Sequence, residues 1–330
     1  MYNNTVERLI RIANIEPKNK FNILTFPTHE RYETQLCKTG HEFYSFRIDN
    51  VKKWNSSQCQ VPVNYHILPD NQICSFLNFD FILVQSKFWQ FQVAQQINQI
   101  LSIPIICLEH TLPTPQTLSV QQIENMQSMS GDVNVFISDF SKKAWGINGV
   151  VIHHGIDTTT FSVKDKTKSP HVLTVANDFI NRDYCLNYNG WKRVVEGLNV
   201  RVVGETEGLS VSASSVDELV DEYNSCAVYF NSSTLSPIPT SLLEAMSCGC
   251  AVVSTATCMI PEIIKNGYNG FISNDEKELR KYLELLITDE TLRNELGKNA
   301  RNTIIEKFSE QNFITSWNNI FKSTYEVSIK

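Results

Sequence analysis

The chain has 330 residues, of which 29 are Lys or Arg and 35 are Asp or Glu, so its formal net charge at pH 7 is -6. This balance lacks the basic excess typical of nucleic-acid-binding proteins, so nucleic acid is not expected as a partner. No apolar run approaches the ~20 residues that a membrane span needs. With 42% hydrophobic residues, the length suits two globular domains, each with its own core.

The nine cysteines are scattered and form no C-x-x-C pair. Such a set favours reduced thiols over disulfides or a zinc site, so no metal is expected. The N-terminal residues MYNNTVERLI lack the apolar core of a signal peptide. The protein is therefore expected to be cytoplasmic.

The first half of the chain alternates apolar runs with segments at helical spacing. A short helix packed on the first domain is predicted within 1–20 by apolar residues at helical spacing, which are Val6, Leu9, Ile10 and Ala13. Contact with a membrane surface is the alternative. Residues 50–75 are weakly patterned and resemble a loop. Strands are predicted at 21–26, 41–46, 79–84, 103–108 and 132–137, and helices at 33–38, 88–101 and 138–145. This alternation predicts a parallel sheet covered by helices.

Polar residues follow two of these strands closely. Thr28 and His29 come after the first strand, and His110 comes after the strand at 103–108. In an open α/β sheet, ligands bind at the carboxyl ends of the strands. Thr28 and His29 therefore form either a polar substrate loop or the start of a helix that Thr28 caps. A neutral imidazole at His110 can hydrogen-bond a polar ligand, although a lone histidine at a strand end is more often structural.

The second half begins after a polar segment, SVKDKTKSP at 162–170, which is the best linker in the sequence. Strands are predicted at 171–176, 201–204, 227–230 and 251–254, and helices at 190–197, 216–223, 242–247, 276–287, 289–306 and 309–321. No G-x-G-x-x-G follows the first strand of either half. A dinucleotide-dependent oxidoreductase is therefore disfavoured.

The stretch from Asn231 to Gly270 carries the strongest motif. An apolar strand ends in a polar, Pro-broken loop at 232–240, a helix follows, and Cys248-Gly-Cys250 turns the chain into a second short strand. The loop lies between a strand end and a helix start, where unpaired N–H groups and the helix dipole favour an anion. This segment predicts a phosphate site.

The same stretch resembles the donor-binding region of the GT4 family, which contains retaining glycosyltransferases of the GT-B fold. The resemblance lies in Ser241-Leu-Leu-Glu-Ala-Met-Ser-Cys-Gly-Cys-Ala-Val-Val-Ser254, Ile260-Pro-Glu-Ile-Ile and Asn266-Gly-Tyr-Asn-Gly270. That family carries an E-x7-E motif. This sequence keeps the second carboxylate as Glu244 and has Ser236 at the position of the first. The resemblance implies that Glu244 holds the nucleotide ribose and that Ser236 replaces a carboxylate facing the donor sugar.

A simpler role for Glu244 stays open beside this one. Ser241-x-x-Glu244 is also a capping box, in which the glutamate satisfies a backbone donor at the start of the helix. The two roles can coexist.

The resemblance also assigns residues to the donor diphosphate. Arg182, after the strand at 171–176, and Lys192, in the next helix, match the family's two phosphate-binding cations, with Arg193 as a rival for the second. Fixed positive charge stabilises a nucleoside diphosphate leaving group without a metal ion. Backbone groups of the donor loop at Thr240 and its neighbours are expected to help.

The remaining donor-binding candidates are Gly204, Ser241 and Leu242. Gly204 ends a strand where a base or ribose could lie, and the other two open the helix that carries Glu244. In the first half, Thr28 and His29 stand where the family often has a glycine-rich loop near the donor phosphates. His110 matches the family's active-site histidine, which contacts the donor sugar or the acceptor.

The sequence as a whole predicts an α/β protein of the GT-B fold. Two Rossmann-like domains are expected to face each other across a cleft, with the C-terminal helix crossing back to the first. The acceptor-side domain is placed at 1–165 with the helix at about 311–330, and the donor-binding domain at 166–310.

The expected function is transfer of a sugar from a nucleoside diphosphate sugar, first of all a UDP- or GDP-sugar, to a glycan or lipid-linked acceptor. The resemblance implies retention at the anomeric carbon and no cofactor. The alternative is a non-catalytic sugar-nucleotide-binding or accessory subunit, which Ser236 motivates. Peripheral contact at the inner face of a membrane is a further expectation.

Overall fold

The structure is a computed structural model that describes residues 18–48, 54, 56, 59–73, 77–87, 89–114 and 118–328. The helix predicted within residues 1–20 therefore lies largely outside the described residues. The chain divides into two compact units. Unit 1 comprises Met1–His153 and Phe313–Lys330, and unit 2 comprises His154–Asn312. The division falls twelve residues before the boundary expected at 165/166.

The polar segment expected to be a linker is bound into unit 2. The Lys164 N–H donates to Asn224 Oδ1 over 2.7 Å. The Lys164 and Lys166 ammonium groups lie 2.7 and 2.8 Å from the carboxylate oxygens of Asp221. The two lysines, whose charges suggested a solvated linker, instead form ion pairs with Asp221.

Unit 1 is built on one parallel sheet of seven strands in the order β3-β2-β1-β4-β5-β6-β7. Its strands are β1 (Asn22–Thr25), β2 (Glu42–Ser45), β3 (Tyr65–Ile67), β4 (Phe81–Val84), β5 (Ile105–Glu109), β6 (Val133–Phe136) and β7 (Val150–Val151). Its first helices are α1 (Glu30–Cys37), α2 (Trp89–Leu101), α3 (Val120–Ser128) and α4 (Asp139–Trp145). The β4 and β5 strands are buried throughout, because helices cover both faces of a parallel sheet. This burial explains their uninterrupted apolar runs.

A strand and a helix of unit 1 were not predicted from the sequence. The β3 strand has only three residues, lies at the edge of the sheet and pairs with β2 through Phe43 and Tyr65. The α3 helix buries only Met126, so it has no apolar stripe to reveal it. Its start is marked by a capping box between Ser119 and Gln122.

The C-terminal helix α12 (Glu310–Ser328) belongs to unit 1 from Phe313 onward. Trp317 Nε1 donates to the Tyr32 hydroxyl over 3.0 Å, and the ring of Phe321 stacks on that of Phe81 at 5.7 Å. These aromatic contacts attach the end of the chain to the first sheet. The predicted return of the last helix is confirmed.

His41 lies beside this helix. Its ring is 5% exposed and packs at 5.0 Å from Phe21 and 5.1 Å from Phe321. The Phe21 N–H donates to His41 Nδ1 over 3.3 Å, which requires a neutral ring nitrogen. Burial lowers the pKa of His41 from 6.5 to about 4.

We expect acid to destabilise the protein through this residue. The pKa of His41 is depressed in the folded state, so the unfolded chain takes up the proton first and stability falls as pH drops from 6.5 towards about 4. The full loss is about 3 kcal/mol. Urea denaturation of wild type and His41→Gln between pH 4 and 7 measures it. A slope of unfolding free energy against pH that is the same in both proteins would show that His41 is not the titrating group.

Unit 2 is built on a parallel sheet of five strands in the order β12-β11-β10-β8-β9. Its strands are β8 (Ser169–Val175), β9 (Val200–Val203), β10 (Cys226–Asn231), β11 (Ala251–Ser254) and β12 (Phe271–Ile272). Its helices are α5 (Asp183–Leu186), α6 (Tyr188–Val195), α7 (Val216–Ser225), α8 (Thr240–Ser247), α9 (Ile260–Ile263), α10 (Glu276–Thr288) and α11 (Glu290–Lys307). The predicted α/β class with two parallel sheets is confirmed.

Helix α11 packs closely on the turn that precedes β11. A Cβ at Gly297 would lie 2.2 Å from the carbonyl oxygen of Gly249, so only glycine permits this approach. Gly249 itself adopts a φ of +71°. The two glycines therefore fix how α11 covers the helix–turn–strand segment that carries the donor motif.

Across the described ranges, no helix is long and apolar enough to cross a membrane.

Candidate functional site

The order of strands in unit 2 creates a crevice at one edge of its sheet. Helix α6 follows β8 and packs with α10, whereas α8 follows β10 and packs with α11. Phe230 of β10 packs with Trp191 of α6, whereas its neighbour Tyr229 bonds Ser241 of α8. Consecutive strand residues point to opposite faces, so the chain leaves the adjacent strands β8 and β10 towards opposite faces of the sheet. In open α/β sheets ligands bind at such a switch point. The loops 176–182 and 232–239 border it.

Hydrogen bonds hold the loop 232–239 against the short helix α5. The N–H groups of Thr234 and Leu235 donate to the carbonyl of Cys185 over 2.9 and 3.1 Å. The Ser232 hydroxyl donates to the carbonyl of Leu186 over 2.7 Å. The loop that contains Ser236 thus lies against α5, which begins directly after Arg182. The structure brings these two predicted site segments to the same crevice.

Helix α8 does not begin with the predicted capping box. Its N-cap is Pro239, without a side-chain cap bond, and Ser241 lies inside the helix. The Ser241 hydroxyl instead donates to the carbonyl of Val175 over 3.2 Å and accepts from the Tyr229 hydroxyl over 2.8 Å. The capping interpretation of Glu244 is therefore wrong, because the helix starts earlier than the motif suggested.

Glu244 is a buried carboxylate of α8. It is 2% exposed, and one of its oxygens accepts a hydrogen bond from the Tyr223 hydroxyl over 3.0 Å. Burial, followed by the adjacent Glu244 charge, raises the pKa of Tyr223 well above its ordinary value. Tyr223 therefore keeps its proton and orients the carboxylate. The sequence motif did not reveal this partner, which comes from the preceding helix α7.

The other predicted residues at the start of α8 differ in their exposure. Thr240 opens the helix and is half-buried. Leu242 is fully buried, and its N–H donates to the carbonyl of Pro239 over 3.0 Å. The Leu242 side chain therefore contributes packing.

The two predicted cations of unit 2 are exposed. In the part of the chain that the structure describes, neither Arg182 nor Lys192 forms an ion pair with a carboxylate, and Lys192 Nζ lies 5.7 Å from the centre of the Tyr188 ring. Arg193 differs, because its guanidinium binds both oxygens of Glu276 over 2.9 and 2.6 Å. Lys192 occurs in the last turn of α6, later in its helix than expected. This geometry favours Lys192 over Arg193 as the second cation for a bound anion.

Gly204 ends β9 beside the loop that follows β8. Its φ is +124°, and a Cβ there would lie 2.1 Å from the carbonyl oxygen of Ala176. The next residue, Glu205, donates its N–H to Asn177 Oδ1 over 2.9 Å. Glycine is therefore required where the loops after β8 and β9 meet.

A cavity of about 200 Å³ lies next to the crevice, between α6, the start of α10 and the loops after β10 and β11. Trp191 and Phe230 contribute apolar surface, and Ser232, Thr255 and Asn274 contribute polar surface. The Ser232 hydroxyl donates to the carbonyl of Leu186, and the Thr255 hydroxyl donates to the carbonyl of Ser233. Neither Arg182 nor Glu244 lines it.

Unit 1 has a switch point of its own, between β1 and β4. Thr28 and His29 follow β1, and both of their N–H groups donate to Glu33 Oε1, over 2.7 and 3.2 Å. The N-cap of α1 is His29, without a side-chain cap bond, so the interpretation of Thr28 as a cap is wrong. The Thr28 hydroxyl instead donates to the carbonyl of Phe26 over 3.3 Å.

His110 lies at the end of β5, on the same edge of the sheet. Its Nε2 is 3.2 Å from Gln85 Oε1, and its ring meets the Tyr32 ring edge-on at 4.7 Å. Sequence reasoning missed Gln85 and Glu33, which connect His110 to the Thr28 loop. The available signal was that Gln85 directly follows β4, as Thr28 follows β1.

Two buried carboxylates accept hydrogen bonds from the loops at this edge of the sheet. Burial raises the pKa of Glu33, while the hydroxyl of Tyr65 and the N–H groups of Thr28 and His29 oppose the shift. Burial likewise raises the pKa of Glu109, whose Oε1 accepts from the Thr111 N–H over 2.9 Å. Among the described side chains, no three of the His, Cys, Asp and Glu types group as metal ligands.

Comparisons with known proteins relate part of the chain to a family. Residues 210–303 match the family model described as glycosyl transferases group 1. An uncharacterized glycosyltransferase of Methanocaldococcus jannaschii is 33% identical over 87 residues, which are 26% of this chain and 22% of that protein. The N,N'-diacetylbacillosaminyl-diphospho-undecaprenol alpha-1,3-N-acetylgalactosaminyltransferase of Campylobacter jejuni is 29% identical over 111 residues, which are 32% and 30% of the two chains. The chain thus spans less than a third of these relatives' lengths.

A solved structure resembles the chain over nearly its whole length. HepE from Anabaena, in complex with UDP, matches with a TM-score of 0.75 and 15% sequence identity, covering 92% of this chain and 100% of that one. This likeness shows the fold, which is GT-B with two Rossmann-like units. The predicted fold is confirmed.

Proposed function

We propose that this GT-B chain moves a hexose from a nucleoside diphosphate sugar to a glycan or lipid-linked acceptor. Its residues 210–303 match the family model described as glycosyl transferases group 1. The observation that carries the proposal is the crevice of unit 2. There Arg182 is an exposed cation directly before α5, against which the loop of Ser236 lies, and Lys192 is an exposed cation of the next helix. The helix after the Ser236 loop holds the oriented carboxylate of Glu244. Cations for a diphosphate and a carboxylate for ribose hydroxyls are what a sugar nucleotide requires.

The chemistry we assign to the cations is stabilisation of the leaving group. As the bond between the sugar and the diphosphate breaks, negative charge develops on the phosphate oxygens. Arg182 can bind two of these oxygens at once, and Lys192 adds a second positive charge. Fixed cations need no reorganisation during the reaction, so we propose transfer without a metal ion or cofactor.

We assign the nucleoside to Glu244 and Gly204. Tyr223 holds one oxygen of the Glu244 carboxylate, which orients the group as an acceptor for ribose hydroxyls. Gly204 permits the close approach of the Ala176 carbonyl where the loops after β8 and β9 meet, beside the position we propose for the nucleoside. The UDP in the HepE structure makes UDP-sugars the first donors to test, with GDP-sugars next.

We place the acceptor with unit 1, where His110, Thr28 and His29 share one edge of the sheet. The name of the Campylobacter relative specifies a diphospho-undecaprenol acceptor, which supports a lipid-linked acceptor and peripheral contact with a membrane. Eight described cysteines are free thiols, which suits the cytoplasm. Retention at the anomeric carbon belongs to the same proposal, through the resemblance to GT4 enzymes.

A sugar-nucleotide-binding or accessory subunit is the second candidate, because Ser236 stands where the family motif has a carboxylate. The two candidates differ in turnover. We expect the wild-type protein to release free nucleotide from one sugar donor in EDTA when an acceptor mixture is present.

Substitution at position 236 separates them. We expect Ser236→Glu to change kcat by less than about tenfold, because the cations supply most of the leaving-group stabilisation. Ser236→Ala is the matched control for loss of the hydroxyl. Turnover in Ser236→Glu alone, with none in wild type at equal nucleotide affinity, would establish the accessory function and refute transfer by the native chain.

A further inference from the structure

A closed ring of hydrogen bonds joins the loops after β1 and β4 in unit 1. We name it the amide ring, and its members are Thr28, Glu33, Gln85 and Gln90. The Thr28 N–H and Gln85 Nε2 both donate to Glu33 Oε1, over 2.7 and 3.4 Å. The Gln85 N–H donates to Gln90 Oε1 over 2.9 Å, and Gln90 Nε2 donates to the Thr28 hydroxyl over 2.8 Å. Both glutamines are 2% exposed.

The direction of each bond in the amide ring is fixed by backbone groups. A backbone N–H only donates, so Glu33 Oε1 must accept from Thr28 and from His29. Gln90 Oε1 must likewise accept from the N–H of Gln85. If Glu33 takes up a proton, that proton belongs on Oε2, where the Tyr65 hydroxyl is the partner. Glu33 Oε1 is therefore an acceptor in either protonation state.

This constraint orients the side-chain amide of Gln85. Its NH₂ group faces Glu33 Oε1 and the Thr25 hydroxyl, the latter over 3.3 Å. Its carbonyl oxygen then faces His110 Nε2 over 3.2 Å. A carbonyl oxygen only accepts, so His110 Nε2 must carry a hydrogen.

The plane of the His110 ring is restrained as well. The Tyr32 ring meets it edge-on, with an angle of 86° between the planes. Tyr32 is in turn held by Trp317 Nε1, which donates to its hydroxyl over 3.0 Å. Packing thus sets the plane of the imidazole, and Gln85 sets which nitrogen carries the hydrogen.

We infer that Gln85 is a positioning residue that fixes His110 in the Nε2–H tautomer and thereby makes Nδ1 the acceptor nitrogen of the neutral ring. The functional half of this inference rests on the proposed transferase activity, in which a sugar hydroxyl of the acceptor or donor donates to Nδ1. Glu33 and Gln90 support the arrangement through the amide ring. They do so without contacting His110 themselves.

Nitrogen-15 NMR of the histidine side chains tests the tautomer in the full-length protein, and His110→Gln assigns the signal. We expect wild type at neutral pH to show the hydrogen on Nε2 of His110, with slow exchange against solvent. Gln85→Met, which keeps the length of the side chain but has no strong acceptor, should lose that protected signal. A hydrogen on Nδ1 in wild type, or an unchanged protected Nε2–H in Gln85→Met, overturns the inference.

Glu33→Gln is the matched control. The N–H groups of Thr28 and His29 still require an oxygen at this position, so the substituted amide should present its carbonyl to them and leave the His110 tautomer unchanged. Thermal unfolding of each variant shows whether it is folded. Because the wild-type spectrum alone decides the tautomer, a variant that fails to fold does not remove the test.

Kinetics test the functional half. In Gln85→Met we expect kcat to fall about tenfold with little change in KM for the donor, since a positioned acid–base or hydrogen-bonding group contributes mainly in the transition state. An equal loss in Glu33→Gln would show a general structural effect and contradict the inference. If wild type shows no turnover with any donor, the proposed function fails while the NMR result on the tautomer stands.

Discussion

Replacing Arg182 with alanine is expected to lower kcat by about 10²–10³-fold, the range found when one preorganised donor to a developing charge is removed. The reason is that Arg182 is exposed at the crevice, and its charge is available to the diphosphate as it leaves. Lys192→Ala should act in the same direction. Steady-state release of nucleotide from the sugar donor, measured in EDTA, gives kcat and KM for each variant.

Arg193→Ala is the matched control for these cations. Arg193 is adjacent to Lys192 in α6, but its guanidinium is engaged with both oxygens of Glu276. We expect its loss to change kcat by less than about threefold and stability by less than about 1 kcal/mol, as for other exposed ion pairs. If Arg193→Ala loses as much activity as Lys192→Ala, the second phosphate cation has been assigned to the wrong residue.

Replacing Glu244 with alanine is expected to weaken nucleotide binding by about 10–100-fold. Hydrogen bonds to a charged group contribute roughly 1.5–3 kcal/mol, and each 1.4 kcal/mol corresponds to a factor of ten in affinity. Calorimetric titration of the nucleotide measures this loss. Thermal or urea unfolding of the same variant measures the separate effect on stability, since the Tyr223 hydroxyl also loses its partner.

Tyr223→Phe separates the two effects. It removes the same internal hydrogen bond but leaves the carboxylate in place, so its loss of stability should match that of Glu244→Ala within about 1 kcal/mol. Its loss of nucleotide affinity should be smaller. Equal nucleotide affinity in wild type and Glu244→Ala would mean that the carboxylate serves only the interior of the protein.

The sequence predicted the fold where elements are long or buried on both faces. Strands β4 and β11 appeared as apolar runs because a parallel sheet buries both of its faces. Strand β3 and helix α3 were missed because a three-residue edge strand and a helix with one buried residue have no apolar periodicity. The polar segment at 162–170 was wrongly predicted to be a linker. Its lysines pair with Asp221 of α7, but in the sequence they cannot be told apart from the charged residues of a solvated linker.

The candidate site rests on a local motif. Glu244, Ser236 and Arg182 are assigned to it through the resemblance. In the structure the loop of Ser236 lies against α5, which follows Arg182, and Glu244 lies in the helix after that loop. Tyr223, Gln85 and Glu33 were not found, because their roles depend on contacts between segments distant in sequence, such as the 3.0 Å bond from Tyr223 to Glu244. The capping box failed for a related reason, since Ser241 bonds the end of β8 instead of its own helix.

The most direct test of the proposed donor site is calorimetric titration of the full-length protein with UDP, GDP, ADP and TDP and their common sugar conjugates in EDTA. We expect one nucleotide to bind without metal, with its affinity reduced in Glu244→Ala and in Arg182→Ala but retained in Arg193→Ala. That result would name the donor class and direct the search for the acceptor. Absence of binding by all of these nucleotides would contradict a donor site in unit 2.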